Sequence, residues 1–271
     1  MKKIVVSVLL ASVLLVSNVN MASAVTDGTL DGNGHPYVVL LLMEVDGAPA
    51  YRCSGTLLSA TVLLTAGHCA GAPGEFSGMR VFTESDIQHG NNNYPYAGPN
   101  SVEAVSWAAH PLYPTTSFVY HDVGVVILKK PGVKLSEYGT LPSANQLDAF
   151  KTERGLQDVT FTAVGYGMQA SFPTAAGWKD QSQKIRMVAY PKLNQINVPG
   201  FTGDFSMLLS NNANTGGTCF GDSGGPNFLG NTNIVAGVTS FGINGNCAGT
   251  GGVFRMDRQN VLDFVNSFLK K

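Results

Sequence analysis

The sequence predicts an all-β fold that ends in a single helix. Short apolar, β-branched runs recur along the 271 residues, and 32 glycines and 13 prolines make turns frequent between them. Many short strands separated by turns are typical of a β-barrel or a β-sandwich. The clearest runs lie at 37–42, 61–64, 123–128 and 233–238.

The last segment has a different period. Between residues 257 and 269, apolar side chains recur every three or four positions, which predicts an amphipathic helix packed on the β-structure. Asp257 stands where a helix cap would lie, and we expect it to cap the first turn.

The composition limits the function classes. A hydrophobic fraction of 44% is enough for a substantial core, whereas a charged fraction of 13% and a net charge of -1 argue against nucleic-acid binding. No metal or other cofactor is expected.

The first 24 residues have the pattern of a secretory signal peptide. Lys2 and Lys3 precede an apolar run at 4–16, and Ala22-Ser23-Ala24 fits the small-residue cleavage site. We therefore expect a secreted protein (extracellular, or periplasmic if the host has an outer membrane) that does not stay on the membrane after cleavage. An uncleaved membrane anchor is the alternative.

Four cysteines in a secreted chain favour two disulfides, and three pairings are possible. Cys53 and Cys69 are close in sequence to His68, and Cys219 and Cys247 enclose Ser223. We predict the local pairings Cys53–Cys69 and Cys219–Cys247, which would brace each region separately. A zinc site is disfavoured because no close Cys-x-x-Cys pair occurs.

Three polar residues suggest nucleophilic catalysis. His68 lies in Thr-Ala-Gly-His-Cys, Asp122 precedes an apolar strand, and Ser223 lies in Gly-Asp-Ser-Gly-Gly-Pro. A serine needs an adjacent base, and the base needs a group that orients it. All five histidines precede Ser223, which excludes the α/β-hydrolase order, in which the histidine follows the serine.

These two motifs, in this order, resemble those of the trypsin-like (chymotrypsin-family) serine proteases, from about Val25 to the terminal helix, and we expect a bacterial secreted member. The resemblance implies two six-stranded antiparallel β-barrels, at about 25–140 and 141–256, followed by a helix at about 257–269. It implies that Ser223 attacks the scissile carbonyl and that His68 is the base. Asp122 would orient that base, and the N–H groups of Gly221 and Ser223 would form the oxyanion hole.

The resemblance also indicates a substrate pocket. Gly217 aligns with its floor and carries no charge, which disfavours cleavage after Lys or Arg. The pocket is expected to be open and to prefer a large apolar or aromatic residue before the cut bond, with a Glu preference through Thr218 as the alternative. The residues expected to contact substrate are Gly217, Thr218, Phe220, Ser240, Phe241, Gly242 and Gly252, with Gly251 as the other candidate for the last position.

Asp222 has no part in proton transfer, and in this family such an aspartate pairs with the free N-terminal amine. Val25-Thr26-Asp27-Gly28 fits the expected start of the mature chain loosely and directly follows the predicted cleavage site. We therefore expect a buried ion pair between Val25 and Asp222. A loose N-terminal tail, with Asp222 held by other groups, is the alternative.

The sequence thus predicts a secreted serine endopeptidase that acts as a monomer on polypeptide substrates and binds protein protease inhibitors. The alternative is a catalytically inactive homologue that serves as a binding module. Such homologues usually lack a triad residue, and all three are present here.

Overall fold

The computed structural model describes residues 25–114, 119–151, 158–169 and 182–270. The predicted signal peptide at 1–24 lies outside these residues. The described part contains a closed six-stranded barrel, an eight-stranded sheet and a C-terminal helix. The all-β prediction is confirmed.

The N-terminal half forms the closed barrel. After β1 (Thr29–Leu30), its strands are β2 (Val38–Val45), β3 (Ala48–Leu57), β4 (Val62–Thr65), β5 (Gly78–Phe82), β6 (Ser101–Ala109) and β7 (Gly124–Leu128), and a short helix, α1 (Gly67–Ala70), follows β4. They pair in the order β2-β3-β4-β7-β6-β5 before the barrel closes.

The turn between β2 and β3 shows how local sequence sets the barrel register. Asp46 and Gly47 form a two-residue loop and both have positive φ angles, of 52° and 75°. Asp-Gly is a preferred pair for such hairpin turns because glycine, and to a lesser degree aspartate, tolerates this conformation. The hairpin then places Val45 opposite Ala48 and Leu41 opposite Cys53.

The C-terminal half is an eight-stranded antiparallel sheet. Its strands are β1, β8 (Phe161–Gly165), β9 (Met187–Ala189), β10 (Leu193–Val198), β11 (Gly203–Asn211), β12 (Pro226–Leu229), β13 (Val235–Gly242) and β14 (Gly249–Arg255). They lie in the order β1-β9-β8-β12-β13-β14-β11-β10. N-terminal β1 therefore belongs to this sheet, although its residues fall within the range predicted for the first barrel.

The second β-unit was predicted to be a closed six-stranded barrel, and it is instead an eight-stranded sheet that is not fully closed. Between β8 and β10 a single isolated bridge joins Thr160 to Lys192, and the Leu193 N–H donates to the Val159 carbonyl at 2.9 Å. The sheet therefore curls into a half-barrel whose two sides meet through short contacts at the strand starts.

The terminal helix, α2 (Gln259–Leu269), confirms the amphipathic pattern, with Val261, Leu262 and Val265 buried. The expected cap is wrong. Arg258 occupies the N-cap position, and the Asp257 carboxylate is instead buried against Arg255 and the Leu147 N–H. A fully buried arginine needs a carboxylate partner, and this requirement takes Asp257 away from the helix end.

One continuous cluster of buried side chains contains residues of the barrel, the sheet and the helix, among them Leu40, Val125, Phe228 and Val261. The two β-units are thus joined by apolar packing. Asp122 and Ser223 lie on loops between strands, and His68 lies in α1. Within the described residues, no helix is long and apolar enough to cross a membrane.

Candidate active site

His68 lies in α1, directly after β4 of the barrel. A side chain at Gly67 would place Cβ 2.9 Å from the Tyr113 ring and 3.1 Å from the Val123 nitrogen, so this position has room only for glycine. The disulfide Cys53–Cys69 ties α1 to β3. These two constraints hold the backbone of His68 against the barrel.

Asp122 lies just before β7 and is fully buried. Its Oδ1 accepts the backbone N–H of His68 at 2.9 Å, and its Oδ2 lies 2.9 Å from His68 Nδ1. The Ser240 hydroxyl donates to the same Oδ2 at 2.5 Å. The carboxylate is therefore held from both β-units, since Ser240 belongs to β13.

This geometry sets the protonation of the imidazole. Burial alone would lower the pKa of His68, but the charge and hydrogen bond of Asp122 outweigh burial and raise that pKa above its ordinary value of 6.5. A proton on Nδ1 is held by the carboxylate, which leaves Nε2 as the nitrogen that can accept a proton. The side chain of His68 is 27% exposed, so it is accessible from the cleft.

Ser223 lies on the loop between β11 and β12, and it lines the same cavity of about 690 Å³ as His68. The Ser54 N–H donates to the Ser223 carbonyl at 2.8 Å, which anchors the loop to β3 of the barrel. Gly224 has a φ of 76°, and a Cβ there would lie 2.0 Å from the Thr65 hydroxyl. The glycine after the serine is thus required by close approach of the barrel.

Two hydrogen bonds orient the peptides that would form the oxyanion hole. The Met168 N–H donates to the Phe220 carbonyl at 2.8 Å, and the Gly225 N–H donates to the Asp222 carbonyl at 2.8 Å. In a trans peptide the C=O and the following N–H point in opposite directions. The N–H groups of Gly221 and Ser223 are therefore turned away from Met168 and Gly225.

Asp222, directly before Ser223, is fully buried. Its carboxylate accepts the N–H groups of Gly167 and Cys219 at 2.8 and 2.9 Å. Burial, the largest effect, raises the pKa of Asp222 to about 7, although these two hydrogen bonds and the charge of Arg52 act to lower it. A Cβ at Gly165 or Gly167 would lie 2.2 or 2.4 Å from the Asp222 side chain, so both glycines make room for it.

The first described residues lie close to this loop. Val25 is fully buried, and Thr26 forms an antiparallel bridge with Gly217, whose N–H donates to the Thr26 carbonyl at 3.0 Å. The Thr26 hydroxyl donates to Asn211 Oδ1 at 2.7 Å.

The expected substrate-contacting residues fall into two groups. Thr218, Phe220, Ser240, Phe241 and Gly242 line the cavity, together with the Cys219–Cys247 disulfide. Gly217 and Gly252 have other neighbours: a Cβ at Gly217 would meet the Asn211 side chain, and one at Gly252 would meet the Phe241 ring at 2.3 Å. The Phe241 ring therefore covers Gly252.

Both predicted disulfides, Cys53–Cys69 and Cys219–Cys247, are present. The side chains of Cys53, His68 and Cys69 are close together, but the two sulfurs are bonded to each other and are not available as thiolate metal ligands.

Sequence reasoning missed several residues that position the site. Met168 bonds to Phe220, Gly165 and Gly167 make room for Asp222, and Ser54 donates its hydroxyl to the Gly221 carbonyl at 3.0 Å. The glycines at 165 and 167, directly after an apolar strand run, were the available signal. Nothing local indicated Ser54.

Comparison with known proteins shows the family of this chain. Residues 28–265 match the family described as Trypsin, and the chain belongs to that family. It is 28% identical to brachyurin of Leptuca pugilator over 79% of this chain and 84% of that protein. It is 23% identical to chymase of Papio hamadryas, over 78% of this chain and 77% of the relative.

A solved structure titled HL collagenase has the same fold, with a TM-score of 0.69 at 20% identity over 91% of this chain and 99% of that one. The chain is therefore a serine endopeptidase of the trypsin family. These relatives come from an arthropod and a mammal, and a bacterial origin stays a prediction.

Proposed function

We propose that this protein is a secreted endopeptidase that hydrolyses peptide bonds with His68, Asp122 and Ser223 as its triad. The observation that carries the proposal is the buried Asp122 carboxylate, which lies 2.9 Å from His68 Nδ1 in a site whose cavity His68 shares with Ser223. The family membership supports the same reaction class.

The chemistry follows from the positions of the groups. Ser223 Oγ attacks the scissile carbonyl carbon while His68 Nε2 takes its proton, and the carbonyl oxygen becomes an oxyanion that accepts the N–H groups of Gly221 and Ser223. His68 then protonates the leaving amine, and an acyl-enzyme forms. A water attacks the ester, again with His68 as base, and restores the serine.

We propose a preference for large apolar or aromatic residues before the cut bond. Among the described residues that line the cavity none carries a carboxylate, and Phe220, Phe241 and Ile243 provide apolar surface. Burial of a large apolar side chain contributes about 1.5–3 kcal/mol. Gly217 is a poor place to test this with a charge, because Asn211 fills the space beside it.

We also propose that cleavage after Ala24 creates the active N-terminus and that the Val25 amine pairs with Asp222. Burial of Val25 supports this assignment, as does the absence of a basic side chain bonded to Asp222 among the described residues. N-terminal sequencing of protein recovered from the medium tests both cleavage and secretion, and the expected first residues are Val-Thr-Asp-Gly.

The decisive experiment is labelling of the mature protein by a fluorophosphonate, combined with a casein digestion assay. The expected result is labelling and digestion by the wild type and by Ser143→Ala, which changes an exposed serine, but by neither Ser223→Ala nor His68→Ala. A folded wild-type protein that is neither labelled nor active would support the inactive binding homologue instead.

Substrate preference is tested with a peptide library and with Thr218→Asp, which places a carboxylate in the cavity. The wild type should cut after Phe, Tyr, Leu or Met, and the variant should gain cleavage after Lys and Arg. Wild-type cleavage mainly after basic residues would contradict the proposed preference.

A further inference from the structure

A second cavity, of about 520 Å³, lies next to the active-site cavity. Phe220 lines both cavities, and Gly221, whose N–H is assigned to the oxyanion hole, lines the second one. Two basic side chains, Arg52 and Lys184, also border this second cavity. A pair of cations therefore lies beside the position assigned to the scissile carbonyl.

The two cations are held around one tyrosine. The Lys184 ammonium lies 6.0 Å from the centroid of the Tyr94 ring, within the range of a cation–π contact. The Arg52 guanidinium donates to the Ser182 hydroxyl, and its Nε lies 3.3 Å from where a Cβ on Gly221 would stand. Both side chains are half-buried, so they are partly fixed while open to a ligand.

Neither cation forms a close ion pair within the described part of the chain. Among the described residues, no carboxylate oxygen lies within 4.0 Å of a side-chain nitrogen of Arg52 or Lys184. Burial, and after it the charge of Arg52, lowers the pKa of Lys184, so the two cations repel each other. A carboxylate bound between them would relieve this repulsion.

We propose that this second cavity binds an acidic side chain of the substrate on the leaving-group side of the scissile bond. The inference rests on the proposed function, which places the acyl side of the substrate in the cavity lined by Thr218 and Phe241. The chain beyond the scissile carbonyl then passes Phe220 and Gly221 toward Arg52. One extended residue spans about 3.3–3.6 Å, so the first or second residue after the cut reaches the cations.

The test uses three internally quenched peptides that share Phe before the cut and carry Glu, Gln or Lys in the first two positions after it. An ester substrate without any residue beyond the cut measures the chemistry alone. We expect kcat/KM to be roughly fivefold higher for Glu than for Gln at low salt, with Lys below Gln, as for a partly exposed ion pair. This preference should shrink at about 0.5 M NaCl, because the charges are then screened.

Variants locate the preference. Lys184→Gln should lower the Glu-to-Gln ratio, because only Arg52 then remains in the cavity, and Lys184→Arg should keep it. Lys129→Gln should keep it as well, since this exposed lysine pairs with Glu103 outside the cavity and its loss changes the net charge equally.

Hydrolysis of the ester with equal rates for the Glu and Gln peptides would overturn this inference and leave the proposed function intact. A Glu preference that is undiminished in Lys184→Gln or at high salt would also overturn it. Failure to hydrolyse the ester would instead count against the proposed function.

Discussion

The burial of Asp222 makes the free energy of unfolding depend on whether Ala24 has been removed. We consider two chains in a Ser223→Ala background that prevents self-digestion, one beginning at Val25 and one that retains Ala24. In the chain that retains Ala24, the α-amino group of Val25 is part of a peptide bond. Among the described residues, Asp222 then keeps two neutral donors, the N–H groups of Gly167 and Cys219, together with the charge of Arg52, and its pKa stays at about 7.

The size of the effect follows from this pKa. The ordinary value is 3.8, and each tenfold change in proton affinity is worth about 1.4 kcal/mol, so ionised Asp222 costs the unprocessed chain about 4 kcal/mol at pH 7. The unfolded state loses the proton first as pH rises, so the unprocessed chain should lose stability between about pH 4 and pH 7. In the processed chain the Val25 ammonium pairs with the carboxylate, and this loss should disappear.

Urea unfolding at pH 4.5, 5.5 and 7 measures both chains. The difference in unfolding free energy should grow with pH toward about 4 kcal/mol at pH 7, with the processed chain more stable. Asp222→Asn in both chains is the control and should remove the pH dependence of the difference. Identical pH profiles of the two parent chains would refute the ion pair, as would unchanged turnover of an otherwise wild-type enzyme that retains Ala24.

Three other perturbations test the supporting structure. Ser240→Ala removes the 2.5 Å bond to Asp122, so kcat/KM should fall about tenfold with little change in KM, and an unchanged kcat/KM would contradict a positioning role. Gly167→Ala places a methyl group 2.4 Å from the Asp222 carboxylate and should cost about 1–3 kcal/mol of stability, measured by urea unfolding. The same change at exposed Gly245, where a Cβ meets nothing within 4 Å, is the control. Burial, as the largest cause, lowers the pKa of His110 below 6.5, so unfolding free energy should decline as pH falls below 6.5. His110→Gln should flatten that decline, which melting temperatures measured between pH 5 and pH 7 would show. A profile of the variant as steep as that of the wild type would contradict this role of His110.

The sequence by itself predicted the family of this protein. The motifs around His68 and Ser223 carry that prediction, because each candidate catalytic residue is adjacent along the chain to the glycines that position it. The same local logic predicted both disulfides, since each cysteine pair encloses a short stretch of chain. Alternation and turn residues predicted the β-class, and the three- to four-residue period predicted helix α2.

The tertiary structure decided what depends on residues distant in sequence. Ser240 bonds Asp122 from the other β-unit, and Met168 orients the Phe220–Gly221 peptide from a different strand connection. The Asp257 carboxylate accepts the N–H of Leu147, 110 residues away, as well as pairing with Arg255, and so does not cap the helix. Pairing of β13 with β14 places Phe241 opposite Gly252, which its ring covers. Hydrogen bonds and close packing act over a few ångströms in space, so no pattern confined to neighbours in sequence could specify them.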